Sequence, residues 1–277
     1  MAIQKPDFMT QQAWDYLLQF TVAHEAMVLH MYNNRATEAA KQDVTCGIGI
    51  LLINRDTATG PDYKSMFYDP ATKRQPTDEQ LRADWDAASK LLRRSYPNAN
   101  LESTPAGDGY ADVCKMRMHP DAVIDKMASV LKAKLKSELD NWLPLETFIS
   151  MPSQAQVACV SYFYGWSLAK APNFRQALLD LDFTRAAKES NLAGAAAAKN
   201  KGHERLFLNA ASIWDAVANG WEGDLFQVLP QKVAPPEIMI YSAQTITEVT
   251  RLGSVRLAKC LFDRMRLPVA GREPSFS

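Results

Sequence analysis

Glu25 is the residue whose position first suggests chemistry. Successive helical residues turn by about 100°, and on that wheel Glu25 falls in the stripe formed by Trp14, Leu17, Leu18 and Thr21. A carboxyl group on the inward side of a helix end is costly to ionise. An acid that holds its proton near neutral pH is what general acid catalysis requires. Position alone favours a plainer reading, a carboxylate beyond the helix end facing water. The other reactive side chains offer less. His24, His30, His119 and His203 show no metal-ligand spacing and have no carboxylate-oriented nucleophile beside them, so surface or hydrogen-bonded histidines are expected. Cys46, Cys114, Cys159 and Cys260 form no CxxC pair; neither a zinc site nor a disulfide framework is implied. Cys159 and Cys260 lie in apolar helical runs and read as buried thiols. Gly47-Ile48-Gly49 has neither the lysine of a phosphate loop nor a dinucleotide-fold context. No metal and no cofactor are expected.

The elements that would position Glu25 follow from local signals. Thr10 precedes an amphipathic run containing Trp14, Leu17, Leu18, Thr21 and Val22. A polar stretch from Asn33 to Asp43 is followed by Val44 to Ile53, β-branched and interrupted by glycines, which reads as strands of a small sheet. Residues 55–76 read as loop-rich. Thr77 and Gln80 have capping-box spacing, opening a helix to about Ser95, before Pro97. Residues 97–118 suggest an inserted loop, and Pro120 starts a helix to about Trp142. Further helices are expected over 152–166, 173–181, 184–191 and 203–218. The stretch 220–236 reads as irregular and 242–266 as a final amphipathic helix. The class is α+β and mostly helical.

Glu25, Tyr32, Thr45, Gly47 and Gly49, in this order and spacing, resemble the opening of phage-type lysozymes. That family has a Glu at a helix end, a Tyr seven residues later and a Thr-x-Gly-x-Gly hairpin strand. Thr77-Asp-Glu with Asp84-Trp-Asp86-Ala-Ala88 is similar to the family's interlobe helix. Gln154 to Ser167 resembles its central helix, and Phe174–Leu179 with Phe183–Ala187 the helix pair that follows. Glu204 to Trp214 fits its late helix more weakly. The resemblance implies a small β-containing lobe and a larger helical lobe joined by a long helix. The lysozyme-like domain would cover 1–218: the N-terminal helix and β lobe at about 10–76, the interlobe helix at about 77–96, and an insertion with the helical lobe at about 97–218. Residues 219–277 form an extension expected to pack on the helical lobe.

The sequence departs from the family at one chemically important place. The family has an Asp two residues beyond its Tyr, where this chain has Asn34. An amide is neither a base nor an anion at neutral pH. Asp43 offers a replacement, because residues at i and i+2 of a strand share a face and Thr45 is the family's water-positioning residue. The competing reading makes Asp43 a solvent-exposed loop residue; Glu38 is a weaker reserve. In the expected reaction Glu25 protonates the leaving glycosidic oxygen, while Asp43 and Thr45 prepare water. The resemblance implies inversion, which needs two carboxyl groups roughly 6.5–9.5 Å apart. Tyr32, Asn34 and Tyr164 are the expected substrate-binding residues. Ile50 stands where the family often has a histidine partnering the aspartate matched by Asp84, which touches packing rather than catalysis. Gly165 and Ser167 replace the family's usual amide and glycine, altering the sugar contacts expected there. A late basic residue near the acid would be Lys201 or Arg205.

Lys plus Arg and Asp plus Glu number 31 each, so broad electrostatic capture of nucleic acid or of anionic wall polymers is not expected. No run of eighteen apolar residues occurs, so no membrane insertion is expected. The N-terminus lacks the apolar block of a secretory signal. The chain is expected to be made in the cytoplasm without a cleaved signal and to act in the periplasm or at the cell wall of a target bacterium. The leading expectation is a muramidase cleaving peptidoglycan between N-acetylmuramic acid and N-acetylglucosamine. It would serve as a phage endolysin or as a secretion-delivered antibacterial effector with a carrier or immunity partner. A non-catalytic peptidoglycan-binding module of the same fold, supported by Asn34, and a chitin or chitosan hydrolase remain open.

Overall fold

The computed structural model describes residues 5–25, 27–33, 43–91, 108–192, 195, 197–219 and 240–241. It is mostly helical with a small antiparallel sheet, the α+β class expected. Asn34, Glu38, Cys260 and the helix expected over 242–266 lie outside the described residues. The chain divides into two compact units. The first holds the described residues of 5–24 and 127–219, the second those of 25–126 with 240–241. Among the described residues no helix is long and apolar enough to cross a membrane.

The first unit is helical. Helix α1 (Gln11–Glu25) starts where Thr10 Oγ1 accepts the amide of Ala13 at 3.1 Å, satisfying one of the open donors of a helix start. Trp14, Leu17, Leu18, Thr21 and Val22 are all buried, so the predicted stripe is the core-facing one. Each such aliphatic side chain contributes about 1.5–3 kcal/mol on burial. Later come α7 (Leu145–Ser150), α8 (Ser153–Gly165), a 3-10 turn (Leu168–Lys170), α9 (Pro172–Leu179), α10 (Phe183–Glu189) and α11 (Ala197–Ala218). Every residue of α8 from Ser153 to Phe163 is buried, so α8 is the unit's central helix. It packs on α11, and edge-on aromatic pairs tie α9 to α11 (Phe174–Phe207, 5.5 Å) and α10 to α11 (Phe183–Trp214, 5.7 Å).

The second unit is built on strands β1 (Met27–Asn33), β2 (Val44–Gly47) and β3 (Ile50–Leu51), an antiparallel meander. Gly47 and Gly49 take left-handed φ of 62° and 71° in the β2–β3 turn. At Gly47 a Cβ would also lie 3.0 Å from Ile50 Cδ1 and 3.1 Å from Val123 Cγ1, so only glycine fits. Beyond β3, where 55–76 was expected to be loop, the chain makes α2 (Arg55–Thr59), α3 (Pro61–Lys64) and β4 (Phe67–Tyr68). Asn54 caps α2 through the amide of Thr57 at 2.8 Å. Helix α4 (Asp78–Lys90) opens with the expected capping box of Thr77 and Gln80, and Trp85 Nε1 donates to the carbonyl of Leu52 at 3.0 Å.

The presumed insertion is partly regular. Within 97–118, α5 (Asp108–Val113) and β5 (Arg117–Met118) form, and β5 pairs with β4. Pro120 opens α6 (Pro120–Asn141), the long helix that runs across the division, between Lys126 and Met127. The helix expected over about 77–96 lies within the second unit instead. Of the extension 219–277, the dipeptide β6 (Ile240–Tyr241) pairs in parallel with Met27 and Val28 of β1 rather than with a helix.

Candidate functional site

The second unit gathers Glu25, Tyr32, Asp43 and Thr45. Glu25 is the last residue of α1 and half-buried, and β1 begins at Met27. On β1, Tyr32 stands directly opposite Thr45 of β2, and Thr45 in turn faces Leu51 of β3. Directly opposed residues project to one face of a sheet, so Tyr32, Thr45 and Leu51 form a row across the meander. The row runs from buried Tyr32 through Thr45, 4% exposed, to Leu51, 45% exposed at the edge. Cys46 pairs with Ile50 and belongs to the opposite face.

A bulge aims this row. Val28 pairs with Gly47 and Tyr32 with Thr45, so four steps along β1 answer two along β2. Extra residues of this kind bend a strand and re-aim its side chains. They turn Tyr32 so that burial, and then the charges of Cys46 and Glu25, push its phenol well above the usual tyrosine range. The Glu25 carboxylate therefore acts electrostatically on the Tyr32 hydroxyl, which stays a neutral hydrogen-bonding group.

Thr45 Oγ1 donates to the backbone carbonyl of Asp43 at 3.0 Å. A hydroxyl has one proton to give and two lone pairs, so Thr45 is left as an acceptor. A water bound there must donate a hydrogen to it and keeps a lone pair free for attack. Asp43 is half-buried immediately before β2, neither on a distant loop nor fully in solvent.

Asp84, the residue expected to lack a histidine partner, is held by backbone amides. Its carboxylate accepts the amides of Lys115 and Met116 at 2.8 and 2.7 Å. Burial still outweighs those bonds and raises its carboxyl above the usual aspartate range. The buried guanidinium of Arg117 donates to the carbonyls of Cys114, Met116 and Ala111 at 2.6, 2.8 and 2.9 Å, holding the same turn. Burial pushes the thiols of Cys46, Cys114 and Cys159 up, which keeps them protonated and unreactive.

In the first unit, Tyr164 is half-buried at the C-terminal end of α8. Lys201 and Arg205, the basic residues expected near the acid, are exposed on α11. The buried base of that helix is Lys199, one turn before buried His203. Lys199 Nζ lies 3.6 Å from where a Cβ of Gly165 would stand, beside the end of α8, where the helix dipole favours a cation. At Gly202 a Cβ would come within 2.6 Å of Phe20 Cζ and 3.2 Å of His24 Nε2, so α11 presses closely on the end of α1. His203 and Ser161 share a 3.0 Å hydrogen bond inside the unit. Lys199 was missed because the sequence reading began this helix at 203; the Lys199–His203 spacing of four was the available signal.

The chain matches no protein-family model, no curated protein and no solved structure.

Proposed function

We propose that this chain is a peptidoglycan hydrolase of the phage-lysozyme kind, cleaving the β-1,4 bond between N-acetylmuramic acid and N-acetylglucosamine. The observation that carries the reading is the row of Tyr32 and Thr45 as direct cross-strand partners in the same unit as the helix-end Glu25. A glycosidase needs a second carboxyl group across the bond from the acid, and Asp43, half-buried immediately before β2, is the one assigned to it. Glu25 gives its proton to the leaving glycosidic oxygen. Thr45, its own proton engaged by Asp43, accepts a hydrogen from the attacking water, and the Asp43 carboxylate takes the proton released as the bond to the sugar carbon forms. Tyr32 holds the acid's side of the site. Inversion at that carbon follows if water attacks from the face opposite the acid.

The test is the release of reducing ends from purified sacculi by the wild type and by Glu25→Gln. Equal release by the two proteins would sink the assignment of Glu25. A second reading, a wall-binding module without catalysis, is favoured by Asn34 standing where the family has its aspartate. Binding to sacculi with no cleavage by the wild type would select it, and comparison with chitin and chitosan would separate the third. The biological role that fits best is a wall-degrading effector delivered into a rival cell, with an endolysin as the alternative.

A further inference from the structure

Outside the candidate site, the first unit carries two half-exposed tryptophans, each with a cation on its ring. Trp142 is 39% and Trp166 is 40% exposed. The Arg175 guanidinium carbon lies 5.0 Å from the Trp142 ring centre, and Lys170 Nζ lies 5.5 Å from that of Trp166. Neither cation forms an ion pair with a carboxylate among the described residues.

The segments that carry the two pairs are joined at Glu138. Glu138, itself buried, accepts the amide of Trp142 on its backbone carbonyl at 2.8 Å and the amide of Leu168 on its carboxylate at 3.0 Å. One residue thus fixes the corner after α6 to the turn that follows Trp166. Lys170 ends that turn, and Arg175 reaches Trp142 from α9, whose first turn is bonded to Ala171 (Arg175 N to Ala171 O, 2.9 Å).

We infer that these four residues form an anchoring surface for an amino-sugar polymer bearing carboxylates, distinct from the residues assigned to bond cleavage. This rests on the wall-glycan reading above. The apolar C–H face of a sugar ring stacks on the free part of an indole. A cation already held at each ring is in place to meet a carboxylate, an attraction that salt weakens. Two half-exposed indole rings, each with a cation held over it and in no ion pair among the described residues, complement a strand whose sugars alternate with acidic side groups. A purely apolar partner would leave both charges unanswered.

The test uses the full-length chain carrying Glu25→Gln, so that sacculi are not consumed, and measures binding to purified sacculi by sedimentation. Trp142→Ala with Trp166→Ala lowers the affinity roughly tenfold or more. Lys170→Gln with Arg175→Gln lowers it and flattens its dependence on salt. Sacculi whose carboxylates have been amidated bind the parent chain as weakly as ordinary sacculi bind the Lys170/Arg175 pair variant. That second measurement holds even if a tryptophan variant misfolds. Failure of the parent chain to bind sacculi, or unchanged binding by both pairs of variants, would overturn the inference. Equal binding to amidated and untreated sacculi would overturn its anionic part. Failure of the cleavage reading shows separately, as equal reducing-end release by wild type and Glu25→Gln with binding intact.

Discussion

The meander around Thr45 and the helical core around α8 both bury polar side chains, but they do so differently. In the core, His203 Nε2 and Ser161 Oγ share a hydrogen bond among the rings of Phe20 and Tyr162. In the meander, the buried hydroxyls of Tyr32 and Thr45 belong to a row that opens at Leu51 and is bordered by two half-buried carboxylates, Glu25 and Asp43. Burial alone marks both places equally. What separates them is a half-buried acid at the end of an element, in the same unit as a hydroxyl whose donor is already used.

The sharpest way to break this contrast is to neutralise the acid. Glu25→Gln keeps the shape of the side chain but cannot donate the proton, and the rate of sacculus cleavage should fall by about 10³-fold or more. Unfolding measured by circular dichroism should barely change. Ser161→Ala in the core should do the reverse, costing about 1–2 kcal/mol of stability with cleavage retained. A cleavage loss equal to that of Glu25→Gln would place the chemistry in the core. Next in size is Thr45→Val, which removes the acceptor for water and should slow cleavage about 10²-fold. Thr45→Ser keeps both the acceptor and the bond to Asp43, and should stay within a few-fold of wild type. Equal loss in Val and Ser would mean that the methyl group, not the hydroxyl, matters.

Local signals made much of this legible in the sequence. Thr10, the Thr77–Gln80 box and Pro120 each satisfy or forgo a backbone donor within one turn, so those helix starts needed no knowledge of the rest of the chain. The Val44–Ile53 hairpin was equally readable, because two glycines at positive φ leave a visible mark. Strand β1 was not, since all seven of its residues are buried and no alternation survives in a strand covered on both faces. Its bulge, which turns Tyr32 toward Thr45, is set by pairing with β2 and leaves no pattern in β1 itself. The partners of Asp84 lie thirty-one and thirty-two positions away, in a segment read as an inserted loop. Glu25 could be named from the sequence; the donor state of Thr45 could not, because it depends on where one carbonyl points.

The hairpin and the clasp behind it give the next smaller effects. Gly47→Ala imposes a side chain on a left-handed backbone and pushes it against Ile50 and Val123. A loss of about 2 kcal/mol is expected in denaturant unfolding, with cleavage reduced because Thr45 shares the strand. Asp84→Asn is isosteric, yet an amide offers one oxygen where two backbone amides now point at two. One donor is left facing an NH2 group, costing about 1–2 kcal/mol. An unchanged unfolding midpoint would show that the clasp contributes nothing net.

A further effect is a response to acid, and the two regions should answer it with opposite sign. Burial, followed by the nearby charges of Lys199 and His24, lowers His203 from 6.5 to about 3. The unfolded chain therefore binds a proton that the folded chain refuses between those values. That part of the stability is complete above about pH 6.5 and is lost as pH falls toward 3, with a slope of up to about 1.4 kcal/mol per pH unit. Asp84, held above its ordinary 3.8 by burial, does the opposite. The folded chain binds its proton more tightly, so its contribution is largest in acid and falls away as pH rises through the folded value. Urea midpoints from pH 7.5 to 4 for wild type, His203→Gln and Asp84→Asn separate the two. The acid-side slope should become shallower in His203→Gln and steeper in Asp84→Asn. Parallel curves for all three would mean that neither buried group titrates with folding. The enclosed histidine would then be no different, in proton terms, from a residue in water.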